Sequence, residues 1–146
     1  MAAFNLFNDF AEQLAKGVHN FGTDTIKLFL SNSAPVATNA ALSEITEIDY
    51  ANISGAAAPT VTVAVSDATD TVLSSDQVVI TATGAVPTFQ YYGLYNDSAV
   101  SPADALICWW DHGSAVTLAD GETFTVKFNN QASAGTILTL GQGTIS

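Results

Sequence analysis

Residues 115–128 read AVTLADGETFTVKF. Two runs of alternating apolar and polar residues, Val116–Leu118 and Thr123–Phe128, flank Ala119-Asp120-Gly121-Glu122. Asp-Gly between alternating runs is a strong β-hairpin signal, because the turn needs backbone angles that glycine adopts at no steric cost. In the second run Phe124, Val126 and Phe128 fall on one face, and Thr123, Thr125 and Lys127 on the other. That alternation is the period of a strand with one side against a core.

The same grammar extends in both directions. Ile26, Leu28 and Leu30 alternate along one stretch, and Val61, Val63 and Val65 along another. Gln77–Thr83 is β-branched on both faces, which predicts a strand buried on two sides. Phe89–Tyr95 and Leu106–Trp110 are aromatic, buried-strand runs, and residues 136–140 give a last strand. Turn signals fall at Asn32–Pro35, Asp67–Asp70, Gly84–Pro87, Asn96–Ala103 with Pro102, and His112–Ser114. Residues 36–58 are Ala-rich and irregular, with a short helical turn expected around Leu42–Ile48 and a surface crossing at Ser54–Ala58. The Gly-Gln-Gly of 141–143 reads as flexible or turn-forming.

One segment departs from this pattern. Phe4, Phe7, Ala11, Leu14 and Val18 are spaced three and four apart, with Leu6 and Phe10 widening the stripe, which predicts an amphipathic helix over 4–18 that Gly17 and Gly22 can end. It either closes one end of its own core or lies on a neighbouring subunit. The expected architecture is therefore mainly β. It is one domain, with an antiparallel β-sandwich or jelly-roll-like body of about eight strands over 24–140, preceded by that helix.

Composition limits function. The chain has 146 residues and a formal net charge of −11, with three lysines (Lys16, Lys27, Lys127) and no arginine. Nucleic-acid binding rests on clustered cations that neutralise phosphates, so nucleic acid is excluded as a partner. Attraction to anionic membranes is disfavoured for the same reason. No apolar stretch reaches the length of a membrane span. The N-terminus, MAAFNLFNDF, lacks the basic and apolar regions of a signal peptide, so synthesis in a cytoplasm is expected. Charged residues make up 12% of the chain, against roughly 25% in ordinary globular domains.

The residues able to carry chemistry do not assemble into a known pattern. Cys108 lies inside the apolar run LICWW and reads as a small buried hydrophobe. His19 stands near the expected helix end. His112 follows Asp111, yet no nucleophile elbow accompanies the pair. Asp67, Asp70 and Asp76 offer carboxylates to a cation, but most of the acidic residues sit in turns, where Asp bonds its own backbone. One cysteine and two histidines supply no zinc spacing. No catalytic residue, metal ligand or cofactor site is expected.

The aromatics Tyr91, Tyr92, Tyr95, Trp109 and Trp110 remain. Neighbours on a strand point to opposite faces, so one tryptophan is expected in the core and the other on the surface. Tyr92, Trp109 and Trp110 are the candidate interface residues, for a subunit contact or for stacking on a sugar.

Read as a whole, the chain resembles small virion structural proteins of tailed bacteriophages. The resemblance runs through residues 4–48 (FNLFNDFAEQLAKGVHNFGTDTIKLFLSNSAPVATNAALSEITEI), 91–99 (YYGLYNDSA), 102–128 (PADALICWWDHGSAVTLADGETFTVKF) and 137–140 (ILTL). It implies a capsid decoration, or cement, protein: a β domain, trimeric, bound to the major capsid protein on the outside of the icosahedral shell. The rivals are a tail, spike or baseplate component touching host glycans, and a carbohydrate-binding module in another setting.

Overall fold

A computed structural model describes residues 3–67, 70–128 and 135–141. The turn expected at Asp67–Asp70 and the Gly-Gln-Gly of 141–143 lie partly outside these residues. The chain is mainly β, with antiparallel sheets and, among the described residues, a single short N-terminal α-helix, a sandwich-like arrangement. Among the described residues there are ten strands: β1 (Ala3–Leu6), β2 (Ile26–Ser31), β3 (Thr60–Val61), β4 (Val63–Asp67), β5 (Thr71–Ser75), β6 (Val78–Thr81), β7 (Val86–Val100), β8 (Ala103–Leu118), β9 (Thr123–Val126) and β10 (Gly135–Leu140). The helix α1 spans Phe10–Ala15, and a 3-10 turn spans Leu42–Glu44.

Three sheets result, ordered β1-β8-β7-β2-β3, β10-β5-β4 and β6-β9. The long hairpin of β7 and β8 is the spine, paired from Val86↔Leu118 to Val100↔Ala103. The region 96–103, expected as a loop, is mostly ladder that turns at Ser101–Pro102. Likewise the strand continues through His112–Ser114, where Gly113 takes a φ of 90° and no reversal occurs.

The helix expected over 4–18 is shorter than its stripe. Ala3–Leu6 instead pairs with β8, Phe4 opposite Trp110 and Leu6 opposite Cys108. Phe4 and Leu6 alternate as in a strand, while their spacing to Phe7 and Phe10 is helical, and the open edge of β8 decides between the two. Phe7 and Phe10 are then buried, and Gly17, with φ 79°, ends the helix.

The Asp120-Gly121 turn forms, but its two arms do not pair with each other. Ala119 O accepts from Glu122 N at 3.0 Å, and Gly121 has a φ of 84°. The turn's remaining groups bond to Ala82 beyond β6, through Gly121 N to Ala82 O and Ala82 N to Glu122 O, each 2.9 Å. β9 therefore joins β6, with Val126 opposite Val78 and Phe124 opposite Ile80. The turn is a corner between sheets. Its cause is the apolar face of 124–128: Phe124 packs on Phe89 and Tyr92, and Phe128 on Trp110, so the strand crosses the core. The inward set Phe124, Val126, Phe128 is as expected from the sequence. Gln77–Thr83 is not: Val79 is exposed, so β6 is buried on one side.

The five-stranded sheet is covered on both faces. One face carries the main core, with Ile26, Leu28, Leu30, Leu94, Cys108 and Trp110. The other carries Phe7, Phe29, Tyr95 and Leu106, under Leu42 and Ile45 of the irregular 36–58 segment. Side-chain bonds fasten that cover: Ser31 Oγ donates to Thr46 O at 2.6 Å, and the Tyr50 hydroxyl accepts from Leu30 N and donates to Glu47. Among the described residues no helix is long and apolar enough to cross a membrane.

Candidate interaction surface

The three aromatic candidates separate. Trp110 is 4% exposed and Tyr92 6%. They stack on one another at 5.6 Å between ring centroids, and Phe4, Phe124 and Phe128 close around them. Neither offers a partner a face, so as surface contacts both are corrected to core. Trp109 points to the opposite side of the sheet, half-buried, with its ring 4.5 Å from that of Phe7. The alternation argument thus holds for the two tryptophans, but it does not reveal that Tyr92, cross-strand from Trp110, shares its fate.

The groups considered for chemistry are engaged locally. Cys108 is buried, and burial pushes its thiol far up, away from the thiolate form a nucleophile needs. Asp111 Oδ1 accepts from Gln90 Nε2 at 2.9 Å and from Gly113 N at 2.8 Å, which holds its carboxyl below the usual range. His112 turns to the other side of the strand, edge-on to Phe124 at 5.1 Å. Asp70 and Asp76 stand before and after β5, Thr71–Ser75. At ~3.3 Å per residue they are ~20 Å apart, too far to share one ion. Among the described residues no group of three or more His, Cys, Asp or Glu is placed to hold a metal.

A polar cluster was missed by sequence reasoning. Asn96 on β7 is fully buried, and its Nδ2 donates to Asp24 Oδ2 at 2.7 Å and lies 3.2 Å from His19 Nδ1. Its Oδ1 accepts from Ser98 N at 2.9 Å. An amide nitrogen carries only donors, so Nδ1 of His19 is the acceptor and Nε2 bears the proton of the neutral ring. Phe10 and Phe21 lie against the ring at 5.3 and 5.7 Å. Burial lowers the imidazole below its usual value, against the opposing pull of Asp24 and Asp9. No local signal in the sequence brings residues 19, 24 and 96 together.

This cluster sets a pH dependence. A histidine whose folded pKa lies below 6.5 takes up its proton more readily when unfolded. Stability is therefore full at neutral pH and falls as pH drops through the unfolded value toward the folded one. Between about pH 7.5 and about pH 5.5 the melting temperature is expected to fall, and to fall less in His19→Gln. Equal slopes in the two proteins, measured by thermal denaturation, contradict the assignment.

Among the described residues the exposed large apolar side chains are Phe4 and Leu6 on β1, Val36, Val65 on β4, Val79 on β6, and Val100 at the tip of the long hairpin, which is 85% exposed. Apart from Val36, which lies between β2 and the 3-10 turn, they lie on strands at sheet edges and at a hairpin end, the places where a β domain meets its neighbours. Of the three lysines, Lys16 pairs with Glu12 and Lys27 with Asp97. Compared with known proteins, the chain matches no family model, no curated protein and no solved structure.

Proposed function

We propose that this chain is a non-enzymatic virion structural protein. Its role is capsid decoration: it binds the major capsid protein on the outside of an icosahedral shell, as a homotrimer, and stabilises the shell. The observation that carries this reading is the surface. Apolar side chains stand at strand edges and at a hairpin tip, on a chain of net charge −11. Such a surface keeps free chains apart by repulsion and adheres where a basic patch offsets the charge. The resemblance to small phage virion proteins supports the same role, and the burial of Cys108 and the capture of Asp111 by Gln90 fit a domain without chemistry.

Co-sedimentation of the purified chain with shells lacking it tests the proposal. Binding is expected to saturate, to weaken between ~50 mM and ~500 mM salt, and to raise the temperature at which shells rupture. Absence of binding at every salt concentration overturns the role. Salt-independent binding overturns the electrostatic part alone.

A further inference from the structure

We propose that the outer edge of β4, with the groove beside it, is a docking site for an extended apolar peptide segment flanked by lysine or arginine and supplied by another protein. The inference goes beyond the decoration reading and applies to a shell or to any other partner.

β4 ends the β10-β5-β4 sheet, and among the described residues β5 is the one strand that pairs with it. Their register runs without a shift from Val63↔Ser75 to Asp67↔Thr71. Edge strands are ordinarily blunted by lysine, proline or a bulge. Residues 63–67, VAVSD, have neither residue, and Asp67 stands at the far end.

The inner side of this edge opens on a groove of about 400 Å³ between Leu14, His19 and Phe21 on one wall and Val65, Leu73 and Leu140 on the other. Val65 and Leu73 are cross-strand partners, so both reach the groove from the same face of the sheet. Val65 is 50% exposed there. His19 lines the groove, is 4% exposed, and its Nε2 is buried with no hydrogen-bond partner among the described residues. Asn96 takes the Nδ1 edge and the two phenylalanines lie against the ring, so His19 is fixed as part of the groove's inner wall. An added strand supplies what this arrangement lacks: main-chain pairing for the edge and alternate apolar side chains for the groove.

Charge selects the occupant. Asp24 lies beside His19, Asp70 precedes β5, and Lys16 is held by Glu12. A second copy of the chain brings another −11 to this border. A segment with cations at its ends is complementary.

The test uses a synthetic peptide of alternating valine and threonine with lysines at both ends, titrated into the full chain while backbone amide NMR shifts are followed. Saturable binding with Kd on the order of 100 μM is expected, weaker at ~200 mM than at ~20 mM salt. Shifts are expected over 63–67 and at the His19 ring. Val65→Lys is expected to weaken binding by about tenfold or more, and Leu6→Lys on the β1 edge to leave it unchanged. Ala64→Lys, on the exposed face of β4, is expected to give the same loss with the core untouched. No saturation by ~1 mM, equal loss in Leu6→Lys, or self-association of the free chain that Ala64→Lys abolishes overturns the proposal. The last outcome assigns the edge to a second copy.

Discussion

Trp110→Ala is expected to lose about 3–5 kcal/mol of stability, as large aromatic truncations in a closed core do. Stabilities of domains are commonly ~5–15 kcal/mol, so this is a third or more of the total. The cost follows from position. Trp110 sits on the main-core face of β8, stacked on Tyr92 and bounded by Phe4 and Phe128, and no neighbour is free to collapse into the space it would leave. Thermal denaturation should show a fall on the order of 10 °C. Trp109→Ala, half-buried against Phe7, is expected to cost less, about 1–3 kcal/mol. If Trp110→Ala melts with the parent protein and fails only in binding a partner, Trp110 is a surface residue after all. The difference between the two variants also decides how a glycan reading is tested: loss of sugar binding in Trp110→Ala would report unfolding, so Trp109→Ala is the informative variant.

Gly93→Ala is expected to be at least as damaging as most core truncations, by about 3 kcal/mol or more. Gly93 pairs with Phe29 on one side and with Trp109 on the other, at the middle of the spine. A methyl group there would stand 2.4 Å from Cε2 and Cζ of Phe29 and 2.5 Å from the Cys108 carbonyl oxygen. Phe29 is fully buried and cannot swing aside, and the carbonyl belongs to the central sheet. Gly113→Ala is the control. Its φ of 90° is strained for alanine, but nothing lies within 4 Å of the new methyl, so about 1 kcal/mol is expected. Urea unfolding of the two variants compares a steric cost with a conformational one. Equal midpoints would contradict the packing described around Phe29.

The strand body was legible because burial on one face writes itself as alternation. Phe124, Val126 and Phe128 turn inward as read, and the aromatic runs of β7 and β8 are the spine. Pairing was less legible. Asp120-Gly121 specifies a tight turn, but which strands flank it as partners depends on the far side of the core, where β6 offers Ala82 to the turn. The N-terminal stripe was ambiguous because Phe4 and Leu6 alternate as in a strand while their spacing to Phe7 and Phe10 is helical. Asn96–Val100 read as loop because a buried asparagine is bearable only with His19 and Asp24 beside it, and these are more than seventy residues away in sequence.

The interface candidates show the same limit. Aromatic composition marks where large side chains are, not which face they fill. Alternation separated Trp109 from Trp110, and the structure then placed Trp110 inward with Tyr92. The edge of β4 carries no aromatic, and its one charge, Asp67 at the end, does not single it out. Its exposure is a property of sheet order, which TVTVAV alone does not encode.

The central claim is that this chain coats a shell by its outer surface. An electron-microscopy map of the virion that carries it is the most direct measurement. Density matching this fold on the outer face of the icosahedral shell, at threefold or quasi-threefold positions, is the predicted result. Density confined to the tail, or none on the shell, contradicts it.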